Sequence, residues 1–598
     1  MATIEELTGA EGVEWDLSDL YDGPDDPKLE AEISDAERDA ETFRERYYEK
    51  VAELTAADLR EAIAEREEIE SAVDRPLVYA HLRFSTNMAD AARGALVGKL
   101  QERAAAVETT LLFFALELAA LDDEAAEALL GDPALDHWRH WLTSIRKYRP
   151  YLLSEPEERI MTEKSVSGSS SWSRLYSELL SAMRATIDGE EVTMDGAMAR
   201  LYSSDRDERR AAVEAVTAGL APGLRTRTFV FNTILQDKSI DDRLRGYPAW
   251  LSSRNLSNET TDEAVQALIE AVVSRYDVAQ RYYRLKARLL GLDRLEFYDR
   301  FAPVAAESGK TSWDDARRTV VDAYTDFSPS VGEIVEGFFE RNWIDGPIRP
   351  DKTGGAFCAT NVPGVHPYVL LNFTGERRAV LTLAHELGHG LHGVLAQPLG
   401  PFNASCPLTT AETASVFGEA LTFKRLLAAQ EDPRRRLDLL TGRIEDAIAT
   451  TFRQISLNRF EDATHTERRT VGELGPERVG EIWLETQDAL FGDSVGTEGY
   501  RTWWSYIGHF TAAPGYVYAY TYGYLFALTI FRRYEQVGEG LVEPYLELLR
   551  SGGSKSPAEL AQLVGLDLSD PAIWSSGIDA LAEAVDEAER AAAEIGLG

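Results

Sequence analysis

The stretch that most constrains this chain runs from Glu376 to Ala396. There apolar Val380, Leu381, Leu383, Leu387, Leu391 and Leu395 recur at helical spacing around Ala384-His-Glu-Leu-Gly-His-Gly-Leu-His392. The pattern predicts a largely buried helix, stopped by Gln397-Pro-Leu-Gly-Pro401 because proline cannot continue one. His385 and His389 stand four residues apart, so their imidazoles leave the helix from one face. Two unpaired imidazoles inside a buried helix would be costly, and a shared metal ion removes that cost. The H-E-x-x-H spacing suits two ligands of one Zn²⁺ at about 2.0–2.1 Å, with the Glu386 carboxylate beside them able to move a proton. The bland alternative is a core helix whose histidines are only hydrogen-bonded. Against it, four of the nine His fall between residues 366 and 392.

A catalytic zinc usually takes three protein ligands and keeps one position for water, so a third donor is required. A thermolysin-like arrangement needs an acid near 408 or 409, where Leu408 and Thr409 stand. The metzincin pattern fails because His392 and Leu395 replace its Gly and third His. The first downstream acid is Glu412, in Ala411-Glu-Thr-Ala-Ser-Val-Phe-Gly-Glu419, on a helix expected to begin near Thr410. Glu412 is the candidate third ligand, and Glu419, two turns on, is a candidate for orienting a ligand imidazole. Thr409-x-x-Glu412 also has the form of a capping box, which competes for the same carboxylate.

At 598 residues the chain exceeds what one hydrophobic core supports, so at least two lobes are expected. Lys and Arg number 62 against 101 Asp and Glu, a net charge of −39, which repels phosphate backbones and argues against nucleic acid as a partner. Eleven of the 62 basic residues are Lys, and a Lys-poor, carboxylate-rich surface suits a halophilic source. Cys358 and Cys406 are too few for a disulfide framework and fit a reducing, cytoplasmic setting. Met1-Ala-Thr-Ile-Glu-Glu lacks the features of a signal peptide, and no window reaches the roughly 20 apolar residues of a membrane span. The most apolar window, Thr109 to Leu121, contains Glu117 and reads as a buried helix.

From Lys28 to about Leu130 the apolar spacing predicts an antiparallel helical array. Ser165 to Ser173 reads as a loop by composition, and Thr186 to Gly196 as a small hairpin turning at Asp188-Gly189. A division there gives an N-terminal helical lobe, 1–195, and a catalytic domain, 196–598. Gly354 to Thr374 holds two β-prone runs around Asn361-Val-Pro-Gly364 and predicts a β-hairpin just before the motif helix. Its strand Pro367 to Phe373 is a candidate edge for pairing with an extended peptide. His366 and His392 read as structural, and His81, His137, His140 and His465 have no partner by spacing.

The chain resembles the oligoendopeptidase F branch of the thimet oligopeptidase family of zinc metallopeptidases. The likeness rests on His385-Glu-Leu-Gly-His389, Glu412-Thr-Ala-Ser, the Pro367-Tyr-Val-Leu-Leu-Asn-Phe strand, the Tyr-rich segment His509 to Tyr524, and Leu153-Ser-Glu-Pro-Glu-Glu-Arg upstream. It implies a mainly α fold of two helical lobes enclosing a deep channel, with the small sheet beside the active-site helix. It implies oligopeptide substrates as well, because a narrow channel excludes folded proteins. In the family a His and Tyr residues of the last segment stabilise the oxyanion and hold substrate. Carried over, these are His509 and Tyr516, with Tyr518, Tyr520 and Tyr524 as competitors and a half-buried Tyr stripe as the structural alternative.

The resulting expectation is a one-zinc endopeptidase that cuts internal bonds of oligopeptides, with Glu386 as base and then acid. Two rivals remain. A zinc carboxypeptidase or dipeptidyl carboxypeptidase would need a basic residue for the substrate carboxylate. A non-catalytic peptide-binding protein would have no use for an intact Glu386.

Overall fold

The computed structural model describes residues 8–304, 310–360 and 362–597. The N-terminal hexapeptide and Asn361 of the hairpin turn lie outside the described residues. The fold is mainly α, with only two- and three-stranded sheets among the described residues. Packing divides the chain into two units, each assembled from three stretches. The first is 1–150, 309–428 and 530–567, and the second is 151–308, 429–529 and 568–598.

The first unit begins with the expected helical array, Pro27–Tyr47, Ala56–Ser85 and Ala91–Ala120. In the first of these helices Leu29, Ile33, Ala36, Ala40, Phe43 and Tyr47 recur every three or four residues and are all buried. That stripe closes a core with Phe113 and Phe114 of the third helix, where each fully buried Leu, Ile or Phe side chain contributes about 1.5–3 kcal/mol by leaving water. Tyr368, from a strand far along the sequence, joins the same core and meets the Trp15 ring edge-on at 6.0 Å. The small sheet is thereby part of the N-terminal core. No single described helix is long and apolar enough to cross a membrane.

In the three-stranded sheet, Tyr368–Leu370 lies between Ile344–Asp345, to which it is parallel, and Phe357–Ala359, to which it is antiparallel. The hairpin expected between residues 354 and 374 is present, but its second strand is central and not an edge. The amides of Val369, Leu371 and Phe373 donate to Trp343, Asp345 and Gly346, each at 2.9 Å, which uses the main-chain groups a substrate peptide would need. Pairing of a peptide with Pro367 to Phe373 is therefore ruled out. Among the described residues no strand covers the outer edge of Phe357–Ala359.

In the second unit, the hairpin Arg184–Ile187 with Glu190–Thr193 turns at Asp188 and Gly189, whose φ values of 56° and 82° are those of a tight hairpin turn. Ser165 to Ser173 is not a loop. Helices Glu155–Ser167 and Ser169–Ala182 run through it and break only at Gly168. Serine costs a helix little, and the buried Tyr176 anchors the second helix. Phe231, Phe460, Trp483 and Trp504 form an aromatic core. Buried charges are paired there: Lys286 donates to Glu445 at 2.6 Å, and Asp299 takes Arg206 at 2.8 Å and Arg209 at 2.9 Å.

Candidate metal centre

The motif helix spans Arg377–Ala396 with Glu376 at its N-cap, and it buries Val380, Leu383, Leu387 and Leu391 as the periodicity requires. Its partner is the helix Thr413–Ala428. The two backbones lie so close at Gly388 that an added Cβ would stand 2.6 Å from Ser415 Cα and 2.8 Å from the Ala414 carbonyl carbon. Glycine inside a helix costs about 1 kcal/mol relative to alanine, and here the close approach of the next helix demands it. Tyr324 fixes the same junction, its hydroxyl donating to the Ala384 carbonyl at 2.8 Å.

Glu412 is not inside a continuous helix from Thr410. It sits at a break, φ −84° and ψ 3°, between the short helix Leu408–Ala411 and Thr413–Ala428. Thr409 lies within that short helix, whose N-cap is Pro407, so the capping-box reading of Thr409 and Glu412 fails. The Glu412 carboxylate instead accepts from the Ser415 hydroxyl at 2.7 Å, and the same hydroxyl also meets the Glu412 carbonyl at 3.1 Å. Tyr545 donates to the Thr413 carbonyl at 3.2 Å, holding the start of the second helix. Ser415 and Tyr545 carry no periodic signal of this role in the sequence, although Ser415 stands three residues after the acid.

One ligand atom from each of His385, His389 and Glu412 lies within 4.8 Å of the others. Glu412 Oε2 is 3.3 Å from His385 Nε2 and 3.4 Å from His389 Nε2. A charge-assisted hydrogen bond would be about 2.7–2.9 Å long. Two donors each about 2.0–2.1 Å from a tetrahedral cation stand about 3.3–3.4 Å apart, which is the spacing seen. Two imidazoles and one carboxylate are also the donor set that suits a divalent transition metal, so the residues present fit such an ion. Behind them, Glu419 Oε2 approaches His385 Nδ1 at 3.3 Å, the position from which a carboxylate fixes a ring and its tautomer.

From the protein groups alone, burial works against the Glu412 carboxylate, yet the two imidazoles hold it well below the usual range. Burial pushes the Glu386 carboxyl up; His385 and His389 act against that and Glu412 adds to it. Glu386 is 7% exposed, and its charge, after burial itself, raises the Cys358 thiol on the neighbouring strand. His392 is buried and driven down to about 4 by that burial, then by His389. His366 stacks on Trp343 at 3.7 Å, with Asp19 3.1 Å from its Nε2, consistent with a structural part.

His509, Tyr516 and Tyr520 belong to the second unit. The alternating tyrosines are not a strand. Helix His509–Ala512 is followed by a turn at Pro514-Gly515 and then by helix Tyr518–Val537. Tyr518, Tyr522 and Tyr524 are buried, and Tyr518 accepts from Asn258 at 2.9 Å, so they belong to the core. Tyr516 and Tyr520 are half-buried and gather around His509. The Tyr520 hydroxyl lies 3.5 Å from His509 Nε2, and the Tyr516 ring stacks 6.1 Å from the imidazole.

Comparison with known proteins follows the same lines. The sequence profile of Peptidase family M3 matches residues 199–579, and that of Oligopeptidase F matches residues 117–184. Oligopeptidase PepF of Bacillus subtilis is 26% identical over 594 residues, covering 96% of this chain and 86% of that protein. An oligoendopeptidase F homolog of Borreliella burgdorferi is 25% identical, covering 95% and 96%. Among solved structures, a peptidase from Chlamydophila abortus superposes with a TM-score of 0.85 at 22% identity, covering 98% and 99%. Oligoendopeptidase-F from Enterococcus faecium gives 0.72 at 21%, covering 94% and 98%.

Proposed function

The chain belongs to peptidase family M3, whose members are metallopeptidases acting on oligopeptides, and from that premise we propose that it is a one-zinc endopeptidase cutting internal bonds of short peptides. The single observation that carries the metal assignment is the 3.3 Å and 3.4 Å spacing of the two imidazoles from one carboxylate oxygen. In this reading His385, His389 and Glu412 hold the ion and Glu419 orients His385. When bound, the zinc supplies Lewis acidity, polarising the scissile carbonyl and making water a better nucleophile at neutral pH.

Glu386 does the proton work. Its carboxylate lies beside the ligand face, takes a proton from the attacking water and returns it to the leaving amine. Burial, which raises its proton affinity, suits a group that must act in both directions. His509 and Tyr516 donate hydrogen bonds to the oxyanion, and Tyr520, which shares their cluster, is the alternative donor. The uncovered edge of Phe357–Ala359 offers an extended peptide main-chain hydrogen bonds that do not depend on its side chains.

The test is a peptide acetylated at one end and amidated at the other, incubated with protein of measured metal content. Cleavage at an internal bond is expected, whereas a carboxypeptidase would leave the blocked peptide whole. Glu386→Gln is expected to keep its zinc and lose activity by about 10²–10⁴-fold, and full activity in that variant would overturn the assignment.

A further inference from the structure

His385, His389 and His392 follow one another along one face of the motif helix, and the third has no part in holding the ion. It is buried, its Nε2 has no hydrogen-bond partner, and it lines a cavity of about 120 Å³. The cavity walls include Thr360, His389, His392, Ser405, Cys406 and Ala411. They come from the end of the edge strand, the motif helix and the segment that leads into Glu412. The elements that bring the metal donors together therefore enclose this space beside them, and through the exposed Ser405 it reaches the surface.

Size and chemistry limit what enters. A closed cavity of about 150 Å³ holds a benzene ring, and a water takes about 30 Å³ of liquid, so this one takes about four water-sized groups and is a tight fit for a phenyl ring. Its lining has no Asp, Glu, Lys or Arg among the described residues. A charged side chain placed there would lose hydration without gaining a counter-ion. Hydroxyl, thiol and imidazole groups lie next to alanine methyls, so side chains such as Val, Thr, Ser and Leu suit the walls.

Resting on the peptidase reading above, we propose that this cavity receives a small, uncharged side chain of the residue on one side of the cut bond and so sets cleavage preference. Doubly blocked peptides, identical except at the two residues flanking the cut, test this. At one flank, wild-type kcat/KM for Val or Thr should exceed that for Phe, Trp, Lys or Glu at least tenfold. Cys406→Phe fills the space and should lower the Val and Thr rates at least tenfold while leaving Gly within twofold. Ala404→Leu, at another residue of the lining, also fills it and replaces the first variant if a thermal melt shows that one destabilised. Equal ranking at both flanks in the wild type, or a uniform loss in the filled variants, overturns the proposal. If the wild type cuts none of the peptides, the peptidase reading has failed by itself. Anisotropy binding of the same labelled peptides then decides the cavity. A tenfold Val-over-Phe preference removed by filling upholds it, and equal affinities reject it.

Discussion

The close backbone approach at the candidate metal centre makes Gly388→Ala a sharp test of how the proposed ligands are held. The added methyl would stand 2.6 Å from Ser415 Cα and closer still to the Ala414 carbonyl oxygen, and ordinary contact begins at 3.4 Å, so the helices must part by at least about 3.4 − 2.6 = 0.8 Å. Neither obstacle is a flexible side-chain tip; both are backbone of the first turn after Glu412. Two opposed effects act on stability. Overpacking costs about 1–3 kcal/mol, and replacing a helical glycine returns about 1 kcal/mol, so the metal-free protein should lose at most about 2 kcal/mol. The metal responds differently, because its ligand distances tolerate only about 0.2 Å. A 0.8 Å separation takes Glu412 out of reach of an ion held by His385 and His389, and affinity should fall at least 100-fold, about 2.8 kcal/mol. Chelator competition measures the affinity, and melts with and without excess zinc measure the stability. A zinc affinity within threefold of wild type would show that the two helices do not fix the ligand spacing.

Other perturbations separate the remaining parts of the argument. Glu419→Gln removes the negative charge beside His385 Nδ1 and should weaken metal binding about 10–100-fold with little change in the metal-free melt; an unchanged chelator titration rejects the orienting role. Glu461, in the second unit, is pushed up to about 8 by burial, the Gly515 amide that donates to it at 2.8 Å and Arg254 acting against this. Below its ordinary value of 4.5 both folded and unfolded chains are protonated. As pH rises from there toward 8 only the unfolded chain ionises, so folding loses about 1.4 kcal/mol per pH unit, a total of several kcal/mol. Glu461→Gln should therefore gain stability over wild type between pH 5 and pH 8 in denaturant titrations, and parallel pH slopes would refute it. A net charge of −39 repels itself across a Debye length of about 10 Å at 0.1 M salt but only about 3 Å at 1 M, so KCl at molar concentration should raise Tm; a flat or falling Tm removes the halophilic reading.

What the sequence made legible follows from the range of the interactions involved. The motif helix and both hairpins are set by residues close in the chain, and their apolar spacing and turn residues predict them. Glu412 stands out in the sequence as the candidate third donor because His385, His389 and the next downstream acid leave few choices. Its hold on Ser415, and the contact between Glu419 and His385, depend on where one helix backbone meets another. Gly388 marks that place, and a helical glycine alone does not tell which partner approaches it.

The tyrosine stripe shows how a true periodicity permits two structures. Tyrosine at every second position reads as a strand, yet 516, 520 and 524 are also spaced four apart, as are 518 and 522, so a helix turns one alternation into two faces. The choice is made by packing. Burial of Tyr518, Tyr522 and Tyr524 draws the helix Tyr518–Val537 into the core, and Gly515, at φ +75° with Leu251 2.7 Å from where its Cβ would be, turns the chain just before it. Only Tyr516 and Tyr520 then remain half-buried beside His509. The same reasoning applies to the two packed units. Tyr368 shares a core with Leu29 and Phe114 although more than half the chain separates it from the first of these, and no local pattern encodes such a pairing. The tyrosine spacing therefore leaves five equivalent candidates, and tertiary packing decides which of them stay out of the core.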